Sequence, residues 1–281
     1  MFIVKGGVAV VTGAASGIGA ALAAQLAAKG CDLALADRNG EPLKLVAAEA
    51  RGYGVKVTEH VLDVADKKQL AAFVKAVLAE HGRVTLLINN AGVALMGRFD
   101  QLQLEEFEWL MDINFWGPVR LTHAFLPTLL AQPAAHIVNV SSIFGIVSPP
   151  GQTAYVASKF GVRGFSESLR HELDGTGVGL TVVHPGGVRT GISSSARIAG
   201  AVDPELGKEA TAAFNKMLRT SPQKAAEVIL RAVERRQPRV LIGPDASGAE
   251  TVQRLAPGRY WSLMKPLMGS MGKYIGKPGQ P

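Results

Sequence analysis

The sequence has one cysteine, Cys31. A single thiol allows no internal disulfide and no cysteine-rich metal site, and it fits a reducing compartment, so a cytoplasmic location is expected. The histidines offer a metal no better home. None of His60, His81, His123, His136, His171 and His184 stands in a ligand spacing such as H-E-x-x-H, so no metal is expected. His184, beside Pro185, reads as a satisfied strand-end residue. The G-x-S-x-G elbow of a serine hydrolase is also missing. No internal repeat or low-complexity block occurs. Charge is absent from one long stretch, for nothing ionisable separates Lys5 from Lys29, and "GGVAVVTGAASGIGAALAAQLAA" has the composition of a signal or membrane segment. The glycines of "TGAASG" divide that run into a β-branched part and an alanine-rich part, which reads instead as strand, turn and helix.

The 281 residues, 47% hydrophobic and 19% charged, can bury one sizeable soluble core. Seven β-rich runs follow one another: 8–13, 32–37, 57–63, 84–92, 136–142, 180–186 and 239–243. Each but the last leads into a helix-like segment, which predicts an α/β fold with a parallel sheet, covered on both faces and wound in two halves. The clearest helix starts at Ser221 as N-cap with Pro222 in the first turn, and presents Ala225, Val228, Ile229, Ala232 and Val233 on one face. Composition changes near residue 244, so the chain divides into a main domain, 1–243, and a C-terminal extension, 244–281.

"TGAASGIG" places Gly13, Gly17 and Gly19 between the first strand and the first helix. Glycines there let a backbone approach a pyrophosphate, with N–H donors and positive helix-end charge behind it. A tight strand–helix turn is the bland alternative. At the end of the second strand, Asp37 would accept from the ribose hydroxyls of NAD, whereas Arg38 would pair with the 2′-phosphate of NADP. Both signals are present, and the balance tips slightly to NADP.

In "AYVASK", Tyr155 and Lys159 are four apart and share one face of a helix. A tyrosine of pKa about 10 is roughly 0.1% ionised at neutral pH, so it works as acid and base only if shifted by about 3 units. A lysine about 4 Å away supplies on the order of 4 kcal/mol at an effective dielectric near 20, which is nearly that shift.

These stretches together resemble the short-chain dehydrogenases/reductases of the single-domain branch. The likeness runs from about residue 6 to 243 and rests on "TGAASGIG", Asp63, "NNAG" (89–92), Asn114 in "DINFWG", "SSIFG" (141–145), "YVASK" (155–159) and "PGGVRT" (185–190), in order and spacing. It implies a Rossmann-type doubly wound seven-stranded parallel sheet and a catalytic tetrad of Asn114, Ser142, Tyr155 and Lys159. Ser142 is taken over Ser141 because the family's serine lies 13 residues before its tyrosine. The cofactor residues so implied are Gly13, Ser16, Gly17, Ile18, Gly19, Asp37, Arg38, Asp63, Val64, Asn90, Ala91, Gly92, Tyr155, Lys159, Pro185, Gly186, Val188 and Thr190, with Asn89 stabilising the sheet nearby. Tyr155 would exchange a proton with the substrate oxygen, Ser142 would donate to that oxygen, Lys159 would hold the nicotinamide ribose, and Asn114 would position a relay water. A homodimer or homotetramer packed through 105–131 and 153–173 is the family expectation. A dinucleotide-sensing regulator without turnover is the rival from another class, and the full tetrad argues against it.

No charge occurs from Ile143 to Ser158, and the region 191–220, the family's substrate cover, carries Leu206, Ala210, Ala213, Phe214, Met217 and Leu218 at helical spacing. An apolar lid over an apolar wall predicts a bulky hydrophobic ketone or secondary alcohol. Arg189 and Arg197 leave a 3-oxoacyl thioester open, although solvated arginines are the simpler reading. The net charge of +7 resides in the last segment, where 219–281 carries 11 basic and 4 acidic side chains. No nucleic-acid recognition pattern accompanies it. In 260–277, Trp261, Leu263, Met264, Leu267, Met268 and Ile275 alternate with Lys265, Lys273 and Lys277. Pro266 and three glycines break any continuous amphipathic helix, so the extension is expected to pack on the body and partly cover the pocket, with peripheral membrane contact as the lesser alternative.

Overall fold

The computed structural model describes residues 1–266. The first half alternates without interruption: β1 (Val8–Thr12), α1 (Gly17–Ala28), β2 (Asp32–Asp37), α2 (Gly40–Arg51), β3 (Val57–Val61), α3 (Lys67–His81) and β4 (Leu86–Asn89). A short strand β5 (Leu95–Met96) and helix α4 (Leu104–Met111) come next, and a π-turn at Asp112–Trp116 joins α4 to α5 (Gly117–Leu130). Then follow β6 (Ala135–Val140), α6 (Thr153–Glu172), β7 (Val178–Pro185), β8 (Arg197–Ile198), α7 (Pro204–Asn215), α8 (Pro222–Glu234), β9 (Arg239–Ile242), α9 (Pro244–Leu255) and α10 (Tyr260–Met264).

The seven expected strands form one parallel sheet in the order β3-β2-β1-β4-β6-β7-β9. Because alternate strand side chains point to opposite faces, Ala9, Val11, Leu33, Leu35, Leu86 and Ile88 pack against α1, α2 and α8, while Val10, Ala34, Ala36, Leu87 and Ile137 pack against α3, α5 and α6. Strand order reverses between β1 and β4, and the crevice outside their carboxyl ends is where such sheets hold ligands. The apolar N-terminal run is β1, turn and α1, as its glycines foretold.

Ser221 caps α8 by accepting from Lys224 N at 3.1 Å, and the helix buries Ala225, Ala226, Ile229, Leu230, Ala232 and Val233. Val228 is only partly buried against the same core. Two elements lay outside the sequence reading: β5 and β8 pair in parallel through Leu95 with Arg197 and Met96 with Ile198, tying the lid segment to the body. Two-residue strands carry no periodicity from which to read them. Helices α9 and α10 pack on the loop after β6, where Ile146, Val147 and Ala249 meet Tyr260 and Met264. Leu267, Met268, Lys273, Ile275 and Lys277 lie outside the described residues.

Candidate active site

A cleft of about 1050 Å³ opens at the strand-order reversal and runs from the Gly-rich turn to the lid and the C-terminal helices. At its nucleotide end, Gly13 has φ +65°, and a Cβ there would come within 2.8 Å of Ala91 Cα. Thr12, which the sequence reading passed over, accepts through Oγ1 from the Asn90 and Ala91 amides at 3.2 Å each. The Asn90 side chain donates to the carbonyls of Thr12 (3.0 Å) and Gly13 (3.1 Å), so the ends of β1 and β4 are stitched together. Ser16 stands at the N-cap of α1 without a side-chain capping bond, and the first turn carries no acid. Bare backbone at Gly13 and Gly17 beside an uncapped, non-acidic helix start suits the pyrophosphate of a dinucleotide.

Asp37 is turned toward that turn: its carboxylate accepts from Ala15 N at 3.0 Å and Asn39 N at 2.9 Å. Arg38 is exposed at the cleft and has no ion pair among the described residues. Asp63, Val64, Ala91, Gly92, Pro185, Gly186, Val188 and Thr190 line the same cleft, as do Ser16, Gly17, Ile18 and Asn90. Gly19 does not. A Cβ on it would run into the Gly13 carbonyl and come within 2.7 Å of the Asn90 amide, so this glycine lets the helix pack on the turn. Asn89 bridges Thr122 (3.0 Å) and Asn139 (2.8 Å) inside the sheet layer.

The four residues of the expected tetrad arrive from three elements. Ser142 follows β6 in an extended conformation and accepts from Phe144 N at 3.1 Å, and its hydroxyl acts on the Tyr155 phenol to lower its pKa. Ser141 points elsewhere: its hydroxyl donates to the Lys159 carbonyl at 2.8 Å and pins α6 to β6. Lys159, buried in α6, donates to the Val140 carbonyl at 3.1 Å. Asn114 sits in the π-turn, a distortion that recurs at functional sites. Its amide exchanges hydrogen bonds with the backbone of Val93 at 2.8 and 2.9 Å and donates to Ser158 Oγ at 3.3 Å. Fully buried, it stands behind Gly92 instead of on the cleft wall; a Cβ on Gly92 would lie 3.3 Å from Asn114 Oδ1 and 3.5 Å from Lys159 Nζ.

The electrostatics differ from the simple pairing argument. Lys159 Nζ lies 5.6 Å from the centre of the Tyr155 ring, and burial pushes the phenol up from its ordinary pKa, opposed only by the Ser142 hydrogen bond. Burial also drives the Lys159 ammonium down to about 8. Desolvation therefore outweighs the cation in the protein alone, and Tyr155 is a protonated phenol at neutral pH. Behind Ser142, the fully buried His184 places Nδ1 2.9 Å from the Ser142 carbonyl while Nε2 has no protein partner. That is half the satisfaction expected of it. Burial holds its pKa near 4, so the ring is neutral and Nδ1–H donates.

The end of the cleft away from the Gly-rich turn is apolar. Ile143, Phe144, Val147, Pro149 and Pro150 form one wall, and Leu206, Ala210, Phe214, Met217 and Leu218 of the lid form another, as their spacing foretold; Ala213 faces away. Trp261, Met264 and Lys265 close the far side. Arg197 is not merely solvated: its guanidinium stacks 3.6 Å from the centre of the Trp109 ring and holds the lid to α4. Arg189 is exposed.

Residues 7–199 match the family described as short chain dehydrogenase. The chain is 40% identical over 263 residues to the putative oxidoreductase SadH of Mycobacterium tuberculosis, covering 92% of this chain and 94% of that protein. It is 34% identical over 268 residues to dehydrogenase/reductase SDR family member 7B of Bos taurus, covering 93% and 81%. Among solved structures, it is similar to a short chain dehydrogenase/reductase from Burkholderia phymatum in complex with NAD, with a TM-score of 0.84, 30% identity and coverage of 92% and 96%. A metagenomic short-chain oxidoreductase in complex with NADP superimposes with a TM-score of 0.69 at 33% identity, covering 85% and 97%.

Proposed function

The chain belongs to the short-chain dehydrogenases/reductases, and from that premise we propose that it interconverts a bulky hydrophobic ketone and its secondary alcohol, with a slight preference for NADP(H) over NAD(H). One observation carries the reading: Ser142 and Tyr155 meet in a single cleft whose one end is the uncapped Gly-rich turn and whose other end is walled by apolar side chains.

A nicotinamide dinucleotide, when bound, supplies or accepts the hydride. The protein's part is binding and proton transfer. Gly13, Ser16, Gly17 and Ile18 would hold the phosphates, Asp63 and Val64 the adenine, and Val188 and Thr190 the carboxamide. In ketone reduction the protonated Tyr155 phenol gives its proton to the carbonyl oxygen while Ser142 donates a hydrogen bond to the same atom, so the developing alkoxide meets preorganised donors. A phenol kept neutral by burial suits that direction. Lys159, buried with its pKa near 8, is a charge held where the resulting phenolate forms, and Asn114, behind Gly92, would hold a relay water through its remaining Oδ1 lone pair.

The NADP lean rests on the unpaired Arg38 and on an Asp37 whose oxygens already serve the amides of Ala15 and Asn39. Arg38→Ala should therefore lower kcat/KM for NADPH by about ten- to a hundredfold while NADH changes little, since charge-assisted hydrogen bonds are worth about 1.5–3 kcal/mol. Equal effects on both cofactors would make the arginine mere surface. Exposed Trp116, Phe160 and Leu130 on the outer helices support assembly of copies through that face. Steady-state rates with NADH and NADPH against ketones of increasing bulk test the reading; no turnover with any ketone, despite cofactor binding, would favour the sensor instead.

A further inference from the structure

Two contacts join the C-terminal helices to opposite rims of the cleft. At the start of α9, the Asp245 carboxylate accepts from Gly187 N at 2.6 Å, inside the segment Gly186–Thr190 that lines the cleft on the nicotinamide side. The carboxylate is seated among glycines: a Cβ on Gly186 or Gly243 would collide with it, and one on Gly187 would touch it at 3.4 Å. Other amides of this segment are bonded as well, Gly186 N to Ile242 O (2.9 Å), Val188 N to Gly186 O (2.9 Å) and Arg189 N to Thr220 O (2.8 Å), and the exposed Asp245 adds the bond to Gly187 N. At the start of α10, the Tyr260 hydroxyl accepts from Ser148 N at 3.0 Å, across 112 positions of sequence. Ser148 lies in the loop that continues from Ser142 and supplies Val147, Pro149 and Pro150 to the ketone wall. Tyr260 and Met264 also pack with Ile146 and Val147 beneath that loop, while Trp261 and Met264 reach the cleft itself.

We infer that Asp245 and Tyr260 are positioning residues, the first setting the Gly186–Thr190 loop for the cofactor and the second setting the 146–150 loop for the ketone. Together they make α9 and α10 a clasp across both halves of the site. This rests on the reading of the cleft as a dinucleotide and ketone site. The seat at Asp245 selects for length as well as acceptor: asparagine can still accept from Gly187 N, whereas glutamate carries an extra methylene into a space bounded by glycine backbone.

The test separates the two arms. Cofactor Kd is measured by titration without ketone, and KM for a bulky ketone is measured at saturating cofactor. Asp245→Ala should weaken NADPH binding by about tenfold, the scale of one hydrogen bond to a charged acceptor. Asp245→Asn should restore it to within about threefold, and Asp245→Glu should not. Tyr260→Phe keeps the ring and removes the acceptor, so it should raise ketone KM by about two- to tenfold and leave cofactor Kd unchanged. A merely structural role would move both constants together in both variants. In the unsubstituted protein, the Gly187 and Ser148 amides should be protected from hydrogen exchange, a reading that holds even if a variant fails to fold. Free exchange of these amides, or indistinguishable constants in all four variants, overturns the clasp while leaving the oxidoreductase reading intact. Failure of the unsubstituted protein to bind NADH or NADPH sinks that reading first.

Discussion

At the nucleotide end of the cleft, the side chains that tie the turn together hang from the carboxyl ends of strands whose neighbours are fixed by sheet register. Thr12, Asn90 and Asp37 bond across β1, β4 and β2, and the backbone between them has no freedom left. The ketone end has no such frame. Its walls are a lid joined by two-residue strands and by a guanidinium laid on an indole, and a loop latched by Tyr260. The first end is rigid because cooperative core burial enforces it, whereas the second is a sum of contacts worth about 1 kcal/mol each, any of which can be lost alone. Holding a nicotinamide dinucleotide at one end and admitting the bulky ketone proposed above at the other call for that division.

The largest effect should come where the two ends meet. Tyr155→Phe removes the transferable proton and almost no volume, so kcat should fall by about a thousandfold or more while cofactor Kd holds. Activity within tenfold of wild type would remove Tyr155 from the chemistry. Next comes the rigid end. Gly19→Ala drives a methyl into the Gly13 carbonyl, and because the surroundings are sheet-bound they cannot give way; about 3 kcal/mol of stability and most cofactor affinity should go together. A soluble, fully stable variant would show that the turn is softer than its contacts imply.

The seam between the ends, β6 against β7, has its own sensitivity. His136 and His184 are fully buried, and burial lowers them to about 3 and about 4, with Arg236 adding to the first. A histidine depressed when folded binds fewer protons than the unfolded chain, so its stabilisation is complete above about pH 6.5 and is lost as pH falls toward the folded value. By pH 5 each should have cost about 2 kcal/mol. Urea midpoints at pH 7 and pH 5 measure this, and His184→Asn, whose amide can still donate to the Ser142 carbonyl, should remove its share of the difference. An unchanged pH slope in that variant would place the acid sensitivity elsewhere.

The contrast also explains what could be read in the sequence. Sheet-bound chemistry leaves local signatures: glycines where backbone must approach backbone, period-two apolar runs, and a Tyr and Lys one helical turn apart. Hence the seven strands, the Gly-rich turn and the Asp37–Arg38 pair were legible in the residues, whereas Asp63, Val64, Asn90 to Gly92, Val188 and Thr190 came only from the family resemblance. The close packing of Gly19 on the Gly13 carbonyl was not legible, because spacing alone cannot say which neighbour a glycine admits. Ser141, Asp245 and Tyr260 left no trace because their partners, Lys159, Gly187 and Ser148, lie 18, 58 and 112 positions away through irregular chain. The expected lowering of the Tyr155 pKa failed for a related reason: spacing gives proximity, but burial, which here dominates, is a property of the whole fold.

The smallest expected effect falls on the ketone end and is the sharpest test of its independence. Arg197→Ala removes the guanidinium from the Trp109 face but leaves the β5–β8 pairing, which is backbone. A cation–π contact at an exposed site is worth about 0.5–1 kcal/mol, so ketone KM should rise by roughly two- to fivefold. If lid opening limits turnover, kcat rises slightly in the same variant, because the contact that holds the lid shut is weaker. Arg197→Lys, which keeps charge without the planar stack, should fall between the two. Cofactor Kd and the urea midpoint should not move, since neither side chain of this pair lines the cleft. A parallel rise in cofactor Kd would mean that the lid and the strand ends are one mechanical unit, and the division between the two halves of the cleft would have to be given up.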